Sequence, residues 1–495
     1  MATFLIGLVI LIVGGFLYGT FVERVFKPDD RKTPAVRLED GVDYVPMKKF
    51  KNALINLLNI AGTGPIFGPI QGILFGPIAF ITIPIGCVIS GATHDYLSGM
   101  MSLRQDGAQM PRIIRKFLGT GTYQVYNIFL CFLMLLVGAV FTYTPGDLFA
   151  GQIVGIQGIN VWTWVIYAVI LLYYLAATLF PIDKIIGRVY PIFGAILLLS
   201  AVGVFFGIFI QGYQLDNIDF SNGFQGIFNL YPYFEGVSGA TAKGTPFIPV
   251  FFVTVACGIT SGFHSTQCTL IARSVTHEKE GKFTFYGMMI LEGLIAMIWA
   301  AAAMGLYNAG STSGATAAVG EVAKGLLGPV GGIIAILGVI VLPITSGDTA
   351  LRSCRLMIAE YLHIDQKKKR NRVLVTLGIF VPVIFILVFA KLNAQGFNIL
   401  WRYFAWSNQT IAVFAFAAIT VYLKAKKNTG KWVHLIALLP GSFYLFIISS
   451  FICSQSIGFN LPLLVSYIIA AVLTVLYLVG IEALGNKYAG KHTEE

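Results

Sequence analysis

Charge is scarce in this sequence: 12% of its 495 residues are Asp, Glu, Lys or Arg, against 56% with hydrophobic side chains. That balance, with a mean hydropathy of +0.78, excludes an ordinary soluble domain and reads as a polytopic membrane protein. The six cysteines form no CxxC pair, so they signal neither a metal site nor a disulfide framework. No GxxxxGK(S/T), HExxH or GxSxG occurs, so neither nucleotide-driven transport nor hydrolysis is signalled within the chain, and no catalytic residue is assigned. The net charge of +11 does not point to nucleic acid, because nearly all the basic residues fall between apolar runs.

What is present is a succession of those runs. Taking about 20 apolar residues as one membrane crossing, thirteen spans are predicted, near 3–21, 53–72, 75–98, 123–143, 161–180, 187–211, 247–271, 283–307, 329–351, 373–390, 398–423, 432–451 and 462–483. Residues 1–21 lack a basic leader and a small-residue cleavage site, so they are expected to remain as a spanning helix. With the N-terminus outside, 30 of the 34 Lys and Arg residues fall in cytoplasmic segments, leaving Lys243, Lys324, Lys391 and Arg402. This asymmetry predicts an N-out, C-in topology. Residues 308–328 read as an outer Gly/Ala/Thr loop.

Two spans are interrupted. Asn59 to Pro69 carries three glycines and two prolines, and Cys257 to Thr266 carries Gly258, Gly262 and several hydroxyls. A break deep in hydrocarbon frees backbone groups that cost several kcal/mol each unless protein, water or a solute satisfies them. Gly64 followed by Pro65 reads as a helix start, so the amides of Ile66 and Phe67 are expected to point at the gap and favour a carboxylate. A glycine-packed, proline-kinked helix is the plainer alternative. Interrupted spans at matching places in two halves are a sequence pointer to a transporter's substrate site.

The chain divides accordingly into 1–52 (first helix and cytoplasmic loop), 53–211 (five helices), 212–246 (outer loop), 247–423 (five helices) and 424–495 (two helices and a tail). Five is odd, so the second set enters the membrane in the opposite sense, an inverted-repeat arrangement.

Polar residues inside the spans are the remaining candidates. Thr345, Ser346 and Thr349 share a helix face with Asp348 nearby, a set that suits Na⁺ opposite the carbonyls of 60–63, or else simply bonds the preceding turn, with Asp348 paired to Arg352. Glu292 falls midway along its span and is a candidate proton carrier or a neutral hydrogen bonder. His264 is a candidate for carboxylate binding or for titration, or is held by neighbouring carbonyls. Asp95 reads as an inner gate or as a helix-end partner of Arg104 or Arg112; a dyad with the adjacent His94 is not expected, because neighbours on a helix diverge. Ser407, Asn408 and Gln409 form a polar knot, either lining the outer path or binding helices together.

The motifs Gly62-Thr-Gly-Pro-Ile66, Gly91-Ala-Thr-His-Asp95, Ser102-Leu-Arg-Gln-Asp-Gly107, Ser261-Gly-Phe-His264, Tyr286-Gly-Met-Met-Ile-Leu-Glu292 and Ser407-Asn-Gln409 occur in order. Together they resemble the carbon starvation protein A family over residues 50–425. The resemblance implies an all-α polytopic protein of the bacterial inner membrane with a leucine-transporter-like core of five plus five helices, flanked by one extra N-terminal and two extra C-terminal helices. It implies a secondary transporter of the amino acid-polyamine-organocation superfamily, taking up pyruvate or peptides during carbon starvation. The chain is shorter than the long members, and its Ile344 to Asp348 run is richer in hydroxyls than the resemblance leads one to expect of proton-coupled members, so H⁺ and Na⁺ both stand as coupling ions. The expected substrate contacts are Gly62, Thr63, Gly64, Ile66, Phe67, Ser261, Gly262, His264, Asn408 and Gln409, with Thr345, Ser346, Asp348, Thr349 and Glu292 for ion coupling and Asp95 for gating. No other cofactor is expected; the partners are a small carboxylate or peptide and membrane lipid. A channel, and a starvation sensor that binds without transporting, are the readings from other classes.

Overall fold

Glycine and proline decide where the helices stop. In the computed structural model, which describes residues 1–41, 43–156, 158–179, 183–219, 233, 234, 236, 237, 246–366, 368–393, 395–426 and 430–491 (side chains of 183–191, 360 and 491 excepted), every regular element is helical. Helix α1 spans Ala2–Phe26, with a π-helical stretch at Ile10–Gly14. Helix α2 (Lys49–Ala61) ends where Gly62 takes φ 41°, and α3 (Gly64–Gly72) leaves after a bend of 47°. The left-handed backbone at Gly62 is open to glycine at no steric cost.

The second span is α4 (Ala79–Gly86), a π-helical turn at Cys87–Gly91, and α5 (Ala92–Arg104). Helix α6 (Met110–Leu148) is two helices meeting at Gly119, whose φ of 87° and ψ of 172° lie outside the helical region. Helices α7 (Val161–Leu179) and α8 (Asp183–Ile210) follow. The next interrupted stretch falls into three pieces, α9 (Phe247–Thr254), α10 (Ala256–Ile259) and α11 (Gly262–Ile271). Then come α12 (Met288–Asn308), α13 (Ala315–Tyr361), α14 (Lys369–Leu392), α15 (Gly396–Ala425), α16 (Leu435–Ser454) and α17 (Leu463–Lys491).

Helix α13 corrects one expectation. Residues 315–327, taken from sequence as loop, form a helix that Gly328 (φ 71°) separates from the long helix after it. The Gly/Ala/Thr composition hid a face on which Ala318, Val319, Val322 and Ala323 are buried. Most of the outer loop (220–232, 235 and 238–245), with Lys243, lies outside the described residues.

By length and hydropathy, ten helices among the described residues can cross a membrane, or eleven with the bent pair α2–α3 counted as one span. The predicted spans that fail the test are the polar-rich Ala79–Arg104, with Ser90, Thr93, His94 and Asp95, and the divided stretch at 247–271. Large apolar side chains such as Phe16, Phe385 and Leu464 face outward, about 70% exposed, as expected where lipid is the solvent.

The two ends of the bundle are distinct. At one, Met47 N–H donates to the Ser274 carbonyl at 3.0 Å, and Arg104 makes a forked pair with Glu278 at 2.5 and 2.7 Å. Asp29 joins this end, its carboxyl held below the usual range chiefly by the hydrogen-bonded Arg31 guanidinium. At the other end the amino group of Met1 donates to the Leu215 carbonyl and to Asn217.

Candidate functional site

The two interruptions pack against each other. A Cβ built on Gly64 would stand 2.2 Å from the Cys257 Cβ, and one on Gly72 would stand 2.2 Å from a Val255 methyl, so α3 lies directly on α10 and its flanks. Small residues permit such close approach of helices in lipid, where burial gives no drive. The expected role of Ile66 and Phe67 is corrected here: both amides donate to the Thr63 carbonyl, at 3.3 and 3.0 Å, because the first turn of α3 closes on the residue before it. What the break does leave is the Thr63 hydroxyl, fully buried and without a hydrogen-bond partner among the described residues.

The second break is capped from outside its own segment. Asn408 Oδ1, on α15, accepts from the Ser261 hydroxyl at 2.8 Å and from the Phe263 N–H at 3.2 Å. Asn408 therefore satisfies the start of α11, as a capping side chain does at a helix N-terminus. A Cβ on Gly262 would meet the Asn408 carbonyl at 2.4 Å, so α11 and α15 touch backbone to backbone. Gln409 faces elsewhere, donating to the Phe252 carbonyl at 2.6 Å. On the other side of the break, the Thr260 hydroxyl reaches Ser90 at 2.7 Å, in the π-helical turn before α5, and Tyr444 at 3.2 Å on α16.

Asp95 is central. Its Oδ1 lies 2.8 Å from His94 Nδ1 and its Oδ2 lies 3.0 Å from His264 Nδ1, while His264 Nε2 stands 3.7 Å from Glu292 Oε2. All four side chains are at most 1% exposed. Helices α5, α11 and α12 thus bring two carboxyl groups onto one imidazole. Among the described residues neither Glu292 oxygen has a hydrogen-bond donor, and the far nitrogen of His94 also lacks a partner. A buried carboxylate so placed requires either a proton or the charge of its neighbour, so the cluster can hold and pass a proton. The pairing of Asp95 with Arg104 or Arg112 is corrected: Arg104 belongs to Glu278, because α5 turns Asp95 toward the bundle axis. The adjacent His94 does reach Asp95, since the side-chain tips converge although their Cβ atoms diverge.

The hydroxyl face of α13 lies beside α2. Ser346 Oγ donates to the Leu58 carbonyl at 3.4 Å, four residues before Gly62. Thr345 donates to the Leu342 carbonyl and Thr349 to the Thr345 carbonyl or to Asp348. Asp348 accepts from the Tyr173 hydroxyl at 2.7 Å, a partner on α7 that its sequence neighbourhood did not suggest. Among the described residues no group of three or more His, Cys, Asp or Glu has the arrangement to hold a metal ion.

With the site in view, likeness to known proteins can be placed. The sequence model of the family described as carbon starvation protein CstA matches residues 1–221, 223–326 and 306–450. The chain belongs to the CstA family. Its family is one of transporters and not of enzymes. An uncharacterized membrane protein of Haemophilus influenzae is 41% identical over 344 residues, 62% of this chain and 92% of that one. The pyruvate/proton symporter BtsT of Escherichia coli is 26% identical over 351 residues, and the peptide transporter CstA of Mycobacterium tuberculosis 26% over 350. The matched stretch spans 47% and 44% of those two relatives' own lengths. Among solved structures, the manganese transporter of Eremococcus coleocola aligns over 91% of this chain and 98% of its own, with a TM-score of 0.54 at 12% identity. That likeness is one of fold. This CstA-family chain is thus a multi-pass helical protein of the bacterial inner membrane.

Proposed function

We propose that the chain is a secondary active transporter that takes up small carboxylates, pyruvate foremost, or peptides, as a means of using scarce carbon. The observation that carries this reading is the buried cluster of Asp95, His264 and Glu292 beside two broken helices packed together. A carrier needs a solute site and a coupling group that sense each other, and here His264 belongs to both. The family relatives named as a pyruvate/proton symporter and as peptide transporters support the substrate classes.

The architecture we infer is thirteen spans, N-terminus outside and C-terminus cytoplasmic, with a leucine-transporter-like core of two inverted repeats at 53–211 and 247–423. One relationship supports it: Gly119 and Gly328 each part a short helix from a long one at the third element of their set. The substrate carboxylate is then held at the Thr63 hydroxyl and near Ser261 to His264, with alternating access exposing it to each side in turn.

The proton is the coupling ion this geometry favours, through His264, Asp95 and Glu292. Sodium at Thr345, Ser346 and Thr349 is the second reading, favoured by the approach of Ser346 to the Leu58 carbonyl. Uptake of labelled pyruvate and of a dipeptide into proteoliposomes, under separately imposed proton and sodium gradients, tests both. Accumulation driven by neither gradient, with conductance but no counterflow exchange, would make the chain a channel; binding without uptake would make it a sensor.

A further inference from the structure

A second polar feature lies apart from the buried centre. A cavity of about 740 Å³ opens where α6 begins, with Arg112, Arg115, Lys116 and Arg273 in its wall. The single carboxylate in that wall, Asp106, already pairs with Arg37. No described carboxylate pairs with any of the four cations, so the cavity carries uncompensated positive charge.

Basic residues at the inner face of a membrane protein ordinarily face lipid phosphates. Here they are organised around a hollow instead. Arg273 is half-buried, its Nε given to the Gly107 carbonyl at 2.9 Å and its guanidinium 5.3 Å over the Tyr44 ring. Its terminal nitrogens make no described hydrogen bond. Arg115 lies 5.7 Å over the Tyr123 ring, and Lys116 rests on Gln105 at 2.5 Å. The wall continues along α6 through Thr120 and Tyr123 to Asn127, whose Oδ1 is buried with no partner among the described residues. Helix α6 in turn packs against α11, the helix of His264.

We propose that this cavity is a binding site for a soluble, compact anion bearing two or more carboxylate or phosphate groups. Planar guanidinium forks fixed by aromatic rings match such groups in pairs, and the volume exceeds what one small monoanion fills. An anion seated there lies against α6, the helix that packs on α11. The site stands without the transport reading.

Isothermal titration of the full chain in lipid-free neutral detergent, with citrate as probe at constant ionic strength, tests it. The wild type should bind citrate saturably, one per chain. Arg112→Gln with Arg115→Gln and Lys116→Gln should weaken Kd at least about tenfold, and Arg112→Lys with Arg115→Lys, which keeps the charge but loses the forks, should weaken it by an intermediate factor of about three to ten. If the triple variant elutes as aggregate, Arg112→Gln alone should still weaken binding about threefold. Absence of saturable citrate binding, or binding indifferent to these changes, would overturn the proposal. So would native mass spectrometry showing phosphatidylglycerol held at these cations and citrate not at all. The readout needs no gradient, so a failed titration leaves the transport reading intact, and failed transport leaves this site intact.

Discussion

Asp95 and His264 stand 169 positions apart in the chain and 3.0 Å apart in the folded molecule, both sealed from solvent. The contact ties α5 to the far side of the second broken span, and His264 Nε2 extends it toward Glu292 on α12. Any movement of α11 relative to α5 must break or remake this pair, which is how a change of protonation can be linked to a change of access.

If that link is the coupling device, Glu292→Gln should abolish proton-driven accumulation while leaving counterflow exchange of labelled substrate, whereas His264→Gln, at a residue that also borders the solute site, should lower both. An exchange rate that falls together with accumulation in Glu292→Gln would show that this residue holds substrate and not the driving proton. Asp95→Asn, which keeps the shape but removes a charge, should lower both.

Gly64 is required for packing, since any Cβ there strikes that of Cys257. Gly64→Ala should therefore reduce the yield of folded protein and its thermal stability, by about 1–3 kcal/mol for an overpacked contact. Removing the obstructing side chain with Cys257→Gly should restore part of that loss in the double variant. A double variant as unstable as the sum of the singles would place the strain elsewhere.

Asn408 holds two donors of the second break at once. Asn408→Ala strands the Phe263 N–H and the Ser261 hydroxyl, a loss of about 1–3 kcal/mol seen as a lowered unfolding midpoint in detergent. Tyr444→Phe should cost less, about 0.5–1.5 kcal/mol, because Thr260 keeps its bond to Ser90. Equal shifts for the two variants would contradict this ranking.

Sodium dependence separates the two coupling readings. Thr349→Val removes a hydroxyl that already serves its own helix and Asp348, so with proton coupling the ion requirement of uptake should not change. A raised sodium requirement would assign the ion to the α13 face after all. Uptake measured across a sodium series at fixed pH decides between them.

Much of this molecule could be read along the chain because lipid imposes a simple code. Long apolar runs make helices, and glycine with proline breaks them, so the interruptions at Gly62 to Gly64 and at Thr260 to Gly262 were legible from composition alone. So were Asp95, His264 and Glu292 as unusual residues, since an ionisable group in an apolar span needs a reason. Partners were not legible. Sequence spacing offered Arg104 to Asp95, and the fold supplied two histidines instead; it also brought Tyr173 from another helix to Asp348. Hydropathy also missed the helix at 315–327, where alanine and glycine mask a buried face.

The sequence by itself determined that the chain is a bundle of membrane helices, where two of them break, and which polar residues fall within its apolar runs. Only the tertiary structure decided that the breaks abut, that Asn408 caps one of them, that Thr63 occupies the amides expected to be open, and that Asp95 meets His264. The reason is physical: insertion into lipid depends on the apolarity of each segment taken alone, whereas a buried polar group is satisfied by whichever helix packing carries to it.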